Sequence, residues 1–162
     1  MQIELYQRPT GSVAEEILSI ISDLTGNWFT KEVAPNARLD LLFHDVICAV
    51  EDGRICAFLM FTSHDGAIHI TLMGTSPAYR GQGFGSALMQ RLESHAAALG
   101  FGEIVVFTVP PAAKPAYRPT VEFYRKHGFK VVKEYPDLWE SGALELRKVI
   151  LDGGERAIRV LP

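Results

Sequence analysis

A glycine-rich loop that leads directly into an amphipathic helix constrains this chain more than any other segment. Glycines occupy positions 81, 83 and 85, immediately after Arg80. The positions that follow on one helical face are Phe84, Ala87, Leu88, Leu92, Ala96 and Leu99, with Arg91 and His95 in two further slots of the same stripe. The spacing predicts a loop that delivers the chain into a helix N-terminus. Outward-facing N–H groups and the helix dipole favour an anion there, most naturally a phosphate.

Two common phosphate-binding patterns do not fit this loop. The dinucleotide-binding pattern GxGxxG requires a third glycine at position 86, which is Ser86. A P-loop requires a lysine and then Ser or Thr after its last glycine, and no lysine follows any of these glycines. A nucleotide-binding protein of either type is therefore disfavoured.

The bulk composition is that of a soluble globular protein. The 162 residues are 48% hydrophobic and 22% charged, which predicts a single domain over residues 1–162. The net charge of -3 argues against nucleic acid as a partner, because nonspecific binding needs a basic surface. The same charge is compatible with a cationic acceptor such as an amine.

Other protein classes are disfavoured by specific residues. Cys48 and Cys56 lie in apolar runs, which is typical of core residues and not of a disulfide scaffold. The five histidines are scattered, so no metal site is expected. The first residues do not resemble a signal peptide, and the densest apolar run, 55–61, is too short to span a bilayer. We therefore expect a cytoplasmic protein without a membrane partner.

The order of periodic segments predicts an α/β (α+β) fold. We expect helices from a capping box of Ser12 and Glu15 to Gly26, from the glycine loop to Gly100, and from about Pro119 to Gly128. Residues 27–40 are predicted to be irregular. Strands are predicted over 1–6, 41–50, 54–62, 67–75, 103–109, 129–134 and 143–151. The result is a mixed, mostly antiparallel sheet of six to seven strands flanked by helices.

Two segments resemble the GNAT family of N-acetyltransferases. The run IHITLMGTSP (68–77), followed by Arg80-Gly-x-Gly-x-Gly and a helix, closely resembles the family's pyrophosphate loop. The segment RPTVEFYRKHGF (118–129) resembles the family's short helix with a tyrosine four residues before Gly-Phe. The resemblance covers roughly residues 48–150. It implies the acyl-CoA N-acyltransferase fold, with a central parallel pair of strands that splay apart at their C-terminal ends.

The resemblance implies acetyl-CoA as the cosubstrate and assigns a set of binding positions. Gly74 inside a strand pattern indicates a bulge, whose freed N–H would donate to the oxyanion of the tetrahedral intermediate. Tyr117 stands where the family often has asparagine. The implied cofactor-binding residues are Met73, Gly74, Thr75, Arg80, Gly81, Gln82, Gly83, Phe84, Gly85 and Tyr117.

The catalytic positions follow from the same resemblance and from proton chemistry. Tyr124 matches the family's general acid, and a phenol with a pKa of about 10 stays protonated while a thiolate with a pKa of about 8.5 departs. Tyr117 is the alternative acid. His69 is the candidate base, with Glu103, Glu134 or a water relay as alternatives. A base matters because an alkyl amine with a pKa of about 10.4 is almost wholly protonated at neutral pH.

Aromatic and acidic residues in two irregular segments are interpreted as the acceptor pocket. They are Trp28, Phe29, Tyr135, Asp137 and Trp139, with Glu140 beside them. The leading hypothesis is an N-acetyltransferase that acts on a primary amine by direct attack in a ternary complex. The alternative is a non-catalytic acyl-CoA-binding regulatory or sensor module. The apolar tail 157–161 follows a Gly-Gly turn and suggests a homodimer, in which it covers a sheet edge.

Overall fold

The computed structural model describes residues 1–150. Its strands are β1 (Gln2–Tyr6), β2 (Asp45–Glu51), β3 (Arg54–His64), β4 (Ala67–Thr75), β5 (Glu103–Thr108), β6 (Lys130–Tyr135) and β7 (Ala143–Val149). Its α-helices are α1 (Gly11–Leu24), α2 (Val33–Asp40), α3 (Phe84–Leu99) and α4 (Arg118–Lys126). Short 3₁₀ turns span Pro77–Tyr79 and Pro115–Tyr117.

The strands follow the order β1-β2-β3-β4-β5-β7-β6 in a mixed sheet, with β4 and β5 as the parallel pair in the middle. The chain divides into two compact units that are interleaved in sequence. One unit contains Met1–Thr62 and Ile70–Leu92, and the other contains Ser63–His69 and the chain from Glu93 onward. That the whole chain behaves as one domain remains a prediction.

The first unit contains the antiparallel strands β1, β2 and β3, and helices α1 and α2 contribute to the hydrophobic core beside them. β1 pairs with β2 and β2 pairs with β3, with an irregularity in register between Ala49 and Val50. Asp52 and Gly53, which connect β2 to β3, both have positive φ, 50° and 76°, as a two-residue hairpin turn favours. Helix α1 buries one apolar face against this sheet. The buried residues of the cluster are Ile17, Leu18, Ile20, Ile21, Leu24, Ala37, Leu41, Val46, Cys48, Phe58 and Met60.

The prediction that residues 27–40 are irregular is wrong, because α2 occupies Val33–Asp40. Pro35 lies in the first turn of this helix, where an N–H would have no partner within the helix, so proline costs little there. Ala37 is buried in the core, and Arg38 extends from the last turn to Glu15 of α1 with Nη1 2.9 Å from Oε1. The helix is therefore held mainly by tertiary contacts that its sequence pattern does not reveal.

Other details of these elements also differ from the predictions. Helix α1 starts at Gly11 with Thr10 as its N-cap, so Ser12 lies inside the helix and the predicted capping box does not form. Glu15 is instead engaged by Arg38. The strand predicted from residue 41 begins at Asp45, because 41–43 form a turn after α2. Leu99, predicted on the buried face of α3, is 60% exposed at the helix end.

The second unit is built on the antiparallel order β5-β7-β6. β7 pairs with β5 on one side and with β6 on the other, and a register irregularity lies between Val131 and Lys133. Helix α4 has Pro119 in its first turn, as predicted. Gly128 follows the helix with φ 90°, which agrees with the predicted C-terminal cap. These features fix the position of Tyr124 near the end of α4.

Candidate active site

The glycine loop has a defined backbone in the structure. The Ser76 N–H donates to the Cys56 carbonyl at 2.8 Å, which ties the start of the loop to β3. Gly81 and Gly83 have φ of 76° and 86°, a region that L-residues rarely adopt. A Cβ built at either glycine would meet no protein atom within 4 Å. Glycine is therefore needed here for backbone conformation, and the space beside both glycines is open to a ligand.

The loop leads into the start of α3. Phe84, the first residue of the helix, is buried, and its ring packs edge-on against Tyr79 with centroids 5.6 Å apart. The Ala87 N–H donates to the Gly83 carbonyl at 3.1 Å, so the first helical turn is formed directly after the loop. The side-chain amide of Gln82 donates to the Ala78 carbonyl at 3.3 Å. These contacts fix the helix N-terminus, where the dipole favours an anion.

Arg80 and Trp28, assigned to different subsites by the sequence, are in contact. The Arg80 guanidinium carbon lies 4.0 Å from the centroid of the Trp28 ring, in cation–π geometry. Trp28 is half-buried on the edge of the α1 core, together with Phe29. The structure thus places the predicted acceptor residue Trp28 against the predicted diphosphate ligand Arg80.

Gly74 has a packing reason to be glycine. A Cβ at this position would lie 2.8 Å from Leu24 Cδ1, closer than real Cβ contacts allow, and 3.0 Å from Phe58 Cε1, which is a tight contact. Met73 and Thr75 flank it on β4 and are half-buried. The predicted bulge at Gly74 and its donated N–H remain predictions.

Tyr124 lies in the hydrophobic core of the second unit. Its side chain is 5% exposed, and its ring packs against Phe123 and Phe129 with centroid distances of 5.4 Å in both cases. Burial raises the pKa of Tyr124 well above its usual value of about 10. The phenol is therefore protonated throughout the neutral and mildly alkaline range, which is the state a general acid requires.

Tyr117, the alternative acid, has a different environment. It is half-buried at the end of the 3₁₀ turn that precedes α4, and burial raises its pKa. The Lys114 ammonium lies 5.5 Å from its ring centroid. The nearby positive charge and the more open position are compatible with a cofactor contact, as the resemblance implies.

His69 has the properties of a neutral imidazole. It is half-buried on β4, and burial is the main cause that lowers its pKa below the usual value. A hydrogen bond to the His64 backbone has a smaller, opposite effect on this pKa, and the two imidazole rings lie 5.8 Å apart. Because one ring nitrogen is oriented by His64, the tautomer is constrained. A neutral, oriented imidazole is able to accept a proton.

A connected polar network, which the sequence analysis missed, crosses β5, β6 and β7. The Tyr135 hydroxyl donates to Glu145 Oε1 at 2.8 Å. Arg147 donates through Nε to Glu145 Oε2 at 2.7 Å and through Nη1 to Glu103 Oε2 at 2.8 Å. Glu145 is buried, and its pKa is lowered chiefly by the hydrogen bond from Arg147. The alternation of Glu145 and Arg147 on one face of β7 is the sequence signal that could have revealed it.

The two carboxylates that are alternatives to His69 as the base have different environments. Glu103 is ion-paired with Arg147, whereas Glu134 is exposed on β6. The Tyr135 hydroxyl is engaged by Glu145, and the same contact is the main cause that raises the pKa of Tyr135. His69 is half-buried, and burial lowers its pKa.

The loop between β6 and β7 presents the remaining predicted acceptor residues. Asp137 is exposed, and Trp139 is 50% exposed. Trp139 has φ 58°, which is uncommon for a bulky residue. The Gly142 N–H donates to its carbonyl at 3.3 Å, which closes the turn. An aromatic side chain is thus held in solvent by a strained backbone.

Within residues 1–150, no group of three or more His, Cys, Asp or Glu side chains is arranged to hold a metal ion. In the same range, none of the helices combines the length and hydrophobicity needed to cross a membrane.

The comparison with protein families decides the identity of this fold. Residues 14–129, which include the glycine loop and Tyr124, match the acetyltransferase (GNAT) family. The chain belongs to the GNAT family. The comparison with curated proteins gave no match.

Solved structures show the same GNAT fold at low sequence identity. A GNAT-family structure from Desulfovibrio desulfuricans has a TM-score of 0.80 and 16% identity, with 93% of this chain and 100% of that chain covered. An aminoglycoside 6'-N-acetyltransferase in complex with coenzyme A has a TM-score of 0.75 and 15% identity, over 94% and 99% of the two chains. The ribosomal-protein-S18-alanine N-acetyltransferase of Escherichia coli has a TM-score of 0.72 and 15% identity, over 95% and 97%.

These findings confirm the predicted fold class. The seven-stranded mixed sheet with a central parallel pair is the acyl-CoA N-acyltransferase fold of the GNAT family. They also establish that the chain is a member of an acetyltransferase family in which coenzyme A complexes are known. The roles of individual residues remain predictions.

Proposed function

We propose that this GNAT protein is an N-acetyltransferase that transfers the acetyl group of acetyl-CoA to a primary amine by direct attack in a ternary complex. The observation that supports this most strongly is the glycine loop at the start of α3. Two glycines with positive φ, open space beside both and an adjacent Arg80 provide a cradle for a diphosphate. The chemistry required for transfer is carried by tyrosine and histidine side chains in the second unit.

The residues of the loop fit the diphosphate of coenzyme A. A Cβ at Gly81 or Gly83 would occupy the open space beside the backbone, so glycine keeps N–H groups accessible to phosphate oxygens. Arg80 adds a positive charge and N–H donors that suit phosphate. The backbone of Met73, Gly74 and Thr75 would hold the pantetheine arm as an added strand, and Tyr117 would contact the cofactor. When bound, acetyl-CoA supplies the activated acetyl group.

The chain's own residues would then perform three tasks. A backbone N–H at Gly74 donates to the developing oxyanion. His69 accepts a proton from the acceptor ammonium, directly or through water, because its lowered pKa keeps it neutral at pH 7. Tyr124 donates its phenolic proton to the departing thiolate, since burial keeps the hydroxyl protonated.

We place the acceptor against the aromatic and acidic residues of the predicted pocket. Tyr135 is held by Glu145, so its ring offers a fixed surface. The exposed Asp137 and Trp139 present a carboxylate and an aromatic face to a cation. An alkylammonium group is the chemistry that both features recognise.

We also propose that the enzyme is cytoplasmic and forms a homodimer. The dimer proposal comes from the apolar segment 157–161, which lies outside the described residues. Within the described residues, β1 and β6 are the edges of the sheet, and an edge strand is stabilised when it is covered or paired.

A thiol-release assay with acetyl-CoA across a panel of primary amines tests the proposed function. We expect turnover with at least one amine and no turnover when the loop carries Gly83→Asp. Both Gly83→Asp and Gly83→Ala strain the backbone at φ 86°. The difference in activity and coenzyme A affinity between the two variants therefore measures the effect of placing a carboxylate against the phosphates. Aspartate at a helix N-terminus does not itself oppose folding.

The outcomes separate the two functional classes. Calorimetry should show coenzyme A binding to the wild type, weaker binding to Gly83→Ala and the weakest binding to Gly83→Asp. Coenzyme A binding without turnover on any amine of the panel would indicate the non-catalytic acyl-CoA-binding module. Unchanged affinity in Gly83→Asp would move the cofactor site away from this loop.

A further inference from the structure

We propose that Trp28 is a positioning residue for the cofactor, which orients the Arg80 guanidinium toward the diphosphate. The inference rests on the proposed function, because it assumes that coenzyme A binds at the glycine loop. It reassigns Trp28 from the acceptor pocket to the cofactor subsite. The contact that supports it is the 4.0 Å stack of the Arg80 guanidinium on the Trp28 ring.

Trp28 is a fixed platform for this stack. It lies in a tight turn directly after α1, in which the N–H groups of Trp28 and Phe29 donate to the Leu24 carbonyl at 3.1 and 3.0 Å. Gly26, with φ 99°, donates to the Phe29 carbonyl at 2.8 Å and closes the turn. The ring also packs against the core of the first unit. Its position is therefore determined by the backbone and by packing.

Arg80, in contrast, lies at the surface. Its side chain is exposed, and it precedes a loop with two glycines in the left-handed region. An exposed arginine carries large rotamer entropy, which binding to a phosphate would otherwise have to remove. The stack on Trp28 reduces this cost in advance, because it holds the guanidinium beside the loop before the ligand arrives.

The geometry of the stack leaves the guanidinium able to bind phosphate. With Cζ 4.0 Å from the ring centroid, the contact with the ring uses the cationic charge of the guanidinium and does not consume its N–H donors as hydrogen bonds. Two parallel N–H donors match a phosphate in a bidentate arrangement. Trp28 can thus support Arg80 without competing for the hydrogen bonds that the diphosphate requires.

The experiment measures coenzyme A affinity by calorimetry and uses S-acetylpantetheine as a donor that lacks the diphosphate. We expect Trp28→Ala to weaken coenzyme A binding about threefold to tenfold, the range of a cation–π contact. Trp28→Phe should retain most of the affinity, because it keeps an aromatic face. Trp28→Ala should lower kcat/KM by a larger factor for acetyl-CoA than for S-acetylpantetheine, since only acetyl-CoA offers Arg80 a diphosphate to bind.

A double-mutant cycle with Arg80→Ala isolates the proposed coupling. In the Arg80→Ala background, Trp28→Ala should have no further effect on coenzyme A affinity. If Trp28→Ala does not fold, Trp28→Leu takes its place, since leucine fills space without a π face. Circular dichroism and thermal unfolding check the fold of each variant.

Two results would overturn the inference and leave the proposed function intact. One is an equal loss of coenzyme A affinity from Trp28→Ala with and without Arg80. The other is a raised KM for the amine with coenzyme A affinity unchanged, which would return Trp28 to the acceptor pocket. A wild-type protein that binds no coenzyme A would instead overturn the proposed function, and the inference with it.

Discussion

Tyr124 is both a core residue and the proposed proton donor. We expect Tyr124→Phe to lower kcat by about a hundredfold or more, the usual contribution of a general acid. The ring contacts with Phe123 and Phe129 should persist, because phenylalanine has the same ring. Coenzyme A affinity should therefore change little. Steady-state kinetics and calorimetry measure the two effects separately.

Tyr117→Phe is the matched control for this prediction. It removes a second phenol from the same region of the chain, at a half-buried position before α4. A large loss of kcat in Tyr117→Phe, with Tyr124→Phe unimpaired, would identify Tyr117 as the acid instead.

The lowered pKa of His69 predicts how the activity should depend on pH. Its pKa is lowered by burial, so the imidazole becomes protonated, and loses its ability to accept a proton, only below its usual value of about 6.5. We expect kcat/KM to decrease as the pH falls through the pKa of His69. Above neutral pH, turnover should rise further up to about pH 9, as the amine itself loses its proton.

His69→Gln removes the titrating group and keeps a side chain of similar size that can form hydrogen bonds. We expect it to lower kcat and to abolish the acidic limb of the pH profile. A profile with the same acidic limb in His69→Gln would assign that limb to another group. The assay then extends to Glu134→Gln, the exposed alternative.

At the residue scale, local spacing predicts the element in which a residue lies but not its tertiary contacts. The pattern before Gly-Phe predicts Tyr124 on a short helix, and the structure has it on α4, while its role as the acid remains a prediction. The contact of Arg80 with Trp28 and the ion pair of Glu103 with Arg147 depend on side-chain geometry that linear spacing does not encode. Contacts of this kind arise only when the fold brings distant segments together, so no local pattern predicts them.

At the scale of elements, α2 shows where the sequence argument failed and why. Residues 27–40 were expected to be irregular, yet they contain a helix whose first turn accommodates Pro35. The strands and the other helices were predicted closely, because their turns contain glycine or aspartate at positive φ or proline at a helix start. Periodicity was strong for these elements and weak for α2.

The loop between β6 and β7 predicts a conflict between stability and substrate binding. Trp139 has φ 58°, and this conformation costs an L-residue about 1–2 kcal/mol that glycine does not incur. We expect Trp139→Gly to unfold at higher urea concentration than Trp139→Ala, since both lose the same indole. Both variants should raise the KM for the amine and spare coenzyme A affinity.

Two measurements would contradict this prediction. Equal urea midpoints for the glycine and alanine variants would show that the backbone at residue 139 is unstrained in solution. Weaker coenzyme A binding with the amine KM unchanged would show that Trp139 does not line the acceptor pocket.

At the scale of the whole molecule, the testable property is the oligomeric state. The proposed homodimer predicts a mass near twice 17.9 kDa in light scattering at high micromolar concentration. The physical reason is that an uncovered sheet edge is stabilised by pairing. A mass of one chain at that concentration would contradict the proposal.

The interleaving of the two units has a consequence for synthesis on the ribosome. The first unit is complete once Leu92 has been made, but Ser63–His69 belong to the second unit and are made long before β7. At about 5–20 residues per second, this segment waits several seconds for its partners. It contains the buried Ala67 and Ile68 at the start of β4, and the sheet neighbour β5 is made only with residues 103–108. The nascent chain therefore presents one edge of β4 without its native neighbour until translation reaches β5.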